Sequence, residues 1–195
     1  RSGAYADVIR SENATGKIYC RGFDEQGRVI MYMRPRNENT KNHEGNLRHL
    51  VYHMERAIAI MKAKGQGVEK ICLVIDYEGY NLHNAPPMKT SKATLHILSD
   101  YYPERLGVAY FVHPPWIFKA FWKVFYPFID PVTKSKFIFL DKPPSHKNSQ
   151  GVLAKNFDLS VLEQVVGGQA PSDFDSTVYL AAEMHLEYSE VLLVS

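Results

Sequence analysis

Thr133 and Lys136 stand three positions apart behind Pro131, so a helical turn begun at that proline sets a hydroxyl beside an ammonium, a pair suited to holding a phosphate. The plainer reading of the same residues is that Asp130 caps the turn, Pro131 is its first residue, and Lys136 is simply solvated. Asp76 closes the apolar run KICLVID, where active-site groups of α/β folds gather, although a lone carboxylate there more simply caps the following loop. His49 and His53, four residues apart, share a helix face and could grip a metal, but no third ligand is evident. No GxSxG elbow, GxxxxGK[ST] loop, GxGxxG, HExxH or Cys-x5-Arg is present. No catalytic set can be assembled, and neither an enzyme nor a metal site is expected.

Residues 113–131, HPPWIFKAFWKVFYPFIDP, hold seven aromatic side chains and four prolines in nineteen positions. Laid on a helix over 116–129, Ile117, Phe118, Phe121, Trp122, Val124 and Phe125 fall within about 160° of arc, and Lys119 and Lys123 point together elsewhere. An ordinary core helix would also be apolar on one side. Rings beside lysines, however, suit a surface that enters the headgroup region of a bilayer, and flanking prolines mark a unit able to swing on its loops.

The elements that must position these residues follow from the apolar patterning. Residues 17–23 and 28–34 read as a hairpin turning at DEQG. Leu47, Leu50, Val51, Met54, Ile58 and Met61 recur at helical spacing from about residue 43 to 64, and GQG ends the run. Residues 70–76, 107–113 and 136–140 are continuous apolar strands, and a helix from 88 to 102 stops at Pro103. Residues 143–151 read as a loop and 175–192 as a C-terminal helix. Buried strands alternating with helices imply an α/β domain around a partly parallel sheet.

Composition agrees with one globular domain: 195 residues, 45% hydrophobic, 23% charged. Cys20 and Cys72 lie far apart without metal-ligand spacing, which favours a reducing compartment and two buried small side chains. No apolar run approaches a membrane span and no signal pattern opens the chain. The net charge of +2 hides an asymmetry: no Lys or Arg follows Lys155, so the first 155 residues carry an excess of positive charge that can meet phosphates.

At YYPERLG (101–107), the proline-bounded aromatic segment, PFIDPVTKSK (127–136) and the glycine pair at 167–168, the chain resembles the CRAL-TRIO lipid-binding domain, in the branch of the yeast phosphatidylinositol transfer proteins. The likeness spans roughly residues 17–168, with 170–195 as an acidic C-terminal tail and helix, all in a single domain over 1–195. It implies a mixed, partly parallel sheet flanked by helices, and a lipid cavity closed by a gate helix. Trp116, Phe118, Phe121, Trp122, Phe125 and Phe128 would belong to that gate, and Ile71, Leu73, Ile75 and Phe111 to the cavity wall. Glu104, Thr133 and Lys136 would bind an inositol phosphate, with Asp130 beside them. The family's N-terminal helical lobe, with an arginine near that phosphate, is expected to be absent here.

The implied function is non-enzymatic carriage of phosphatidylinositol between membranes, with no cofactor beyond the bound phospholipid. Expected partners are the phospholipid, a transient membrane surface and a lipid kinase, with no nucleic acid; the expected location is the cytoplasm, peripherally on membranes. Carriers of phosphatidylcholine place Ser and Thr where this chain has Ile71 and Leu73, which argues against that lipid and makes a sterol-like second ligand plausible. A lipid-sensing or protein-docking module without transfer activity is the rival reading. A diacyl lipid crossing water exposes roughly 30 methylenes at about 0.8 kcal/mol each, so a carrier must keep the chains covered and open only against a bilayer.

Overall fold

The computed structural model describes residues 2–116, 118, 122, 126–128, 131–140 and 142–182, without the side chains of Ser2 and Phe128. Five strands, β1 (Ile18–Phe23), β2 (Val29–Met33), β3 (Ile71–Asp76), β4 (Leu106–Val112) and β5 (Phe137–Leu140), form one sheet in sequence order. β1 and β2 are an antiparallel hairpin; β2 through β5 are parallel. At the hairpin turn the Asp24 carboxylate accepts from the backbone N–H groups of Gln26 and Arg28, which is why DEQG turns where it does.

Sequential order among parallel strands has a topological consequence. Crossovers are right-handed, so β2–β3, β3–β4 and β4–β5 must all pass over the same face of the sheet. These crossovers carry α2 (His43–Lys64), α3 (Met88–Tyr101), and the aromatic segment followed by α4 (Pro131–Ser135). Asn42 caps α2 by accepting from Gly45 N–H, and Gly65 ends it in the left-handed conformation. Leu50, Met54, Ala57 and Met61 of α2 bury against Cys20, Val29, Met31 and Ile71 of the sheet, with Ile97 and Leu98 of α3 packed alongside. An additional N-terminal helix, α1 (Ser2–Asn13), lies against α2.

The opposite face is covered by chain that follows β5. α5 (Lys147–Leu153) occupies part of the stretch expected to be a loop, with the His146 side chain accepting from Asn148 N–H at its start. Leu153, Phe157, Leu162 and Val166 bury Tyr19, Ile30, Tyr32, Cys72, Val74, Tyr110, Val112 and Leu140. The glycine pair is steric: Gly167 is left-handed (φ +100°), and a Cβ on Gly168 would stand 1.9 Å from the Leu162 carbonyl oxygen. The chain then wraps the β1 edge, where the Tyr179 hydroxyl accepts from Cys20 N–H and Arg56 lies 3.7 Å over the Tyr179 ring. Residues 176–182 are helical; the remainder of the expected C-terminal helix lies outside the described residues. Glu163, fully buried, joins this wrap to the hairpin: it accepts from Tyr19 Oη at 2.8 and 2.9 Å, from Arg21 at 3.0 Å, and from Arg34.

Candidate functional site

The parallel strands begin at one edge of the sheet, and a cation precedes each of the last three: Lys70 before β3, Arg105 before β4, Lys136 before β5. Neighbouring strands hold them together through backbone bonds, Ile71 N–H to Arg105 O at 2.7 Å and Ala109 N–H to Lys136 O at 2.8 Å. Glu104 sits among them with φ +61°, a left-handed conformation that a non-glycine residue adopts at a cost, directly after Pro103. Its Oε2 is 3.9 Å from Lys136 Nζ and 4.0 Å from Lys70 Nζ, and its side chain is 80% exposed. Lys136 is the inner cation, 14% exposed. The backbone N–H of Lys136 donates to Thr133 O at 3.1 Å, closing the turn that leads from α4 into β5. Arg105 donates to Glu69 O at 3.1 Å. Lys70 and Arg105 do not stand out in the sequence; each announces itself only by preceding an apolar strand.

The second part of the site is the apolar face on which the aromatic segment lies. Parallel register brings Leu73, Ala109 and Phe137 into one row and Ile75, Phe111 and Phe139 into the next. Trp116, Phe118 and Trp122 are helical, and Tyr126–Phe128 is a 3₁₀ turn. The Phe118 ring is 4.8 Å from Tyr77 and 5.3 Å from Phe111; Trp122 is 4.9 Å from Phe137 and 5.4 Å from Phe139. Phe118 and Trp122 therefore rest on a floor of rings supplied by Tyr77, β4 and β5. Phe118 and Trp122 remain half-buried, and Trp116 is 77% exposed. Tyr126 and Val132 are exposed as well, with Lys134 Nζ 4.4 Å over the Tyr126 ring.

Of the expected wall residues, Ile71 is buried in the α2 cluster and Phe111 beneath the rings. Leu73 and Ile75 are only half-buried, although β3 is the middle strand of five. A central strand sandwiched by solid packing buries both its faces; on β3 the face towards Cys72 and Val74 is sealed and the face towards the aromatic segment is not. Asp130, Phe121 and Phe125 lie outside the described residues, as does the Phe128 side chain.

Two other candidates resolve structurally. Asp76 accepts from Glu78 N–H at 3.0 Å, from Arg36 at 2.6 Å and from His113 at 3.2 Å, so its carboxylate caps the loop and ties down its neighbours. Asp76, Glu78 and His113 converge closely enough for an ion, but the Arg36 guanidinium already neutralises Asp76 and bonds the Glu78 carbonyl. His49 and His53 are fully buried rather than facing a ligand: His53 Nδ1 donates to the His49 carbonyl at 2.8 Å, and the two rings are 4.3 Å apart. Neither belongs to a three-ligand cluster among the described residues. Cys20 and Cys72 are buried, as their isolation suggests.

Comparison with known proteins places this geometry. The family model described as the CRAL/TRIO domain matches residues 13–168. The chain is 39% identical over 143 residues to phosphatidylinositol transfer protein PDR17 of Saccharomyces cerevisiae, covering 71% of this chain and 40% of that protein. It is 30% identical over 158 residues to the SEC14 cytosolic factor of Candida glabrata, covering 78% of this chain and 47% of that protein. It thus spans less than half the length of either relative. The crystal structure of Sfh5 superimposes with a TM-score of 0.55 at 20% identity, covering 66% of this chain and 50% of that one, a likeness of fold. The family model spans most of the chain, and this chain belongs to the CRAL/TRIO domain family.

Proposed function

We propose that this chain binds phosphatidylinositol and carries it between membranes, without catalysing a reaction on it. The observation that carries the reading is the incompletely covered apolar face at Leu73 and Ile75, roofed by the aromatic segment, with the Lys136–Thr133–Glu104 group at the end where that segment returns to β5. Its similarity to a protein named as a phosphatidylinositol transfer protein supports the same ligand.

Each part then has a task. Lys136 pairs with the lipid phosphate and Thr133 donates a hydroxyl hydrogen bond to it. Glu104 accepts from inositol hydroxyls, which a choline head group cannot supply, and the family resemblance assigns Asp130 to the same head group. The acyl chains lie against Leu73 and Ile75 under Phe118 and Trp122, and the family resemblance assigns Phe121, Phe125 and Phe128 to the same gate. In solution the roof keeps methylenes from water; at a bilayer Trp116, Tyr126 and Val132, already exposed, enter the interface and the segment lifts. No helix among the described residues is long and apolar enough to cross a membrane, and a relative named as a cytosolic factor supports work at the cytoplasmic surface, with a lipid kinase as one recipient.

The test is transfer of labelled phosphatidylinositol between vesicles. The double change Lys136→Ala and Thr133→Ala is expected to abolish it, and undiminished transfer would remove the assignment. Lipids copurified with the protein should contain little phosphatidylcholine when identified by mass spectrometry; mostly choline lipid would refute the head-group reading. A module that senses lipid without passing it on would bind in the same assay and show no transfer.

A further inference from the structure

The rim that holds Lys136 contains more positive charge than one phosphodiester needs. Lys70, Arg105 and Lys136 lie side by side on adjacent parallel strands, and the carboxylates facing them are Glu104 and Glu69. Among the described residues, three cations stand against two anions. The separations are also loose: 3.9 and 4.0 Å from Glu104 Oε2 to the two ammonium groups, and 3.8 Å from Glu69 to Arg105, all beyond hydrogen-bonding distance. The Glu104 and Glu69 side chains are largely in solvent, so an incoming anion can displace either one cheaply. Lys136 is nearly buried, whereas Lys70, sharing the same carboxylate oxygen, is 52% exposed and stands on the outer side.

We propose that Lys70 is a specificity-determining residue that receives a second phosphate, a phosphomonoester carried on the ring of an inositol head group whose phosphodiester sits at Lys136. The inference rests on the function proposed above and sharpens its substrate class to inositol lipids bearing a ring phosphate. With the diester on the inner ammonium, the ring projects outwards past Glu104, and the outer ammonium meets its substituents. A ring phosphate replaces the Glu104 carboxylate as the partner of Lys70, leaving Glu104 to accept from the remaining hydroxyls.

Binding of the whole chain to vesicles containing phosphatidylinositol or phosphatidylinositol 4-phosphate tests this, alongside Lys70→Gln, Lys70→Arg and Lys136→Gln. The wild type should prefer the phosphorylated lipid by about fivefold, the effect of one half-exposed cation. Lys70→Gln should lose that preference while keeping affinity for phosphatidylinositol, Lys70→Arg should retain it, and added salt should shrink it. Equal preference in wild type and Lys70→Gln, or none in either, overturns the inference. Lys136→Gln binding phosphatidylinositol like the wild type instead overturns the underlying function. Displacement of the phosphorylated lipid by inositol 1,4-bisphosphate would assign the soluble phosphate as a sufficient ligand of Lys70; resistance to displacement would assign the lipid.

Discussion

His113 Nδ1 lies 3.2 Å from Asp76 Oδ1 at the point where β4 ends and the aromatic segment begins. The carboxylate it donates to is buried and already fixed by Arg36, so the imidazole anchors the root of the segment to the end of β3. His113 itself is left-handed, φ +51°, ahead of Pro114 and Pro115, and the strained backbone and the side-chain bond occupy one residue. Glycine would relieve the strain and lose only the bond; alanine would lose the bond and keep the strain, which costs about 1 kcal/mol more. Urea denaturation should therefore rank His113→Ala below His113→Gly. Equal midpoints would mean that the conformation holds no strain.

Glu163 is the second anchor, between the hairpin and the wrap that covers the opposite face. Replacing it by alanine leaves the largely buried Arg34 and the buried Tyr19 hydroxyl without their carboxylate, and stranding a buried charge costs roughly 3–5 kcal/mol. Glu163→Gln, which can still accept from Tyr19, should cost less. Denaturant midpoints measure both, and an alanine variant as stable as the wild type would show that the wrap is held by its apolar contacts alone.

The strands β3, β4 and β5 are legible in the sequence to within a residue because continuous Val, Ile, Leu and Phe admit few other placements, and α2 is legible because Gly65 closes a long 3.6-residue repeat. α5 is not, since KNSQGVL has no apolar period and is ordered by burying Leu153 and by Ser149 donating to the Lys142 carbonyl. Thr133 and Lys136 could be paired by counting along one turn, whereas Lys70 joins them only through strand register, sixty-odd residues away in sequence. The histidine spacing misleads for a related reason. An i, i+4 pair looks the same whether its face meets a metal or an interior, and α1 and Tyr179, which close over His49 and His53, are distant in the chain.

That enclosure sets an acid limit on stability. Burial depresses both imidazoles, His53 to about 3 and His49 further, with His53 and Lys17 adding to the effect on His49. Both are neutral in the fold, while in the unfolded chain they protonate near pH 6.5. The unfolded state thus binds more protons below that pH, so stability is full above about 6.5 and falls as the pH drops towards 3, by up to about 1.4 kcal/mol per pH unit for each histidine. Glu38 has a different window. Burial alone would raise it, the Lys17 ammonium more than offsets that and holds it low, and its contribution is lost only below about 4.5. Burial raises the Glu163 carboxyl, which acts in the opposite sense as the pH falls, so urea midpoints at pH 7 and pH 5 are compared in a Glu163→Gln background, where an unchanged midpoint would contradict the neutral burial of the histidines.

Trp116 offers the most direct test of the proposed contact with a bilayer. It stands 77% exposed at the start of the aromatic segment, within three residues of the His113 anchor, while Phe118 turns inwards to Tyr77 and Phe111. An indole left in water on a folded surface contributes little to stability, so Trp116→Ala should unfold at nearly the wild-type denaturant concentration. In an interface the same ring would bury up to about 200 Å² of mostly apolar surface, and even half that area at about 25 cal/mol per Å² gives some 2–3 kcal/mol. Sedimentation with phosphatidylcholine–phosphatidylserine vesicles should then show Trp116→Ala bound at least tenfold more weakly, and indole fluorescence should shift to the blue when wild-type protein meets the vesicles. Undiminished vesicle binding by a stable Trp116→Ala protein would move the membrane contact to another face of the molecule.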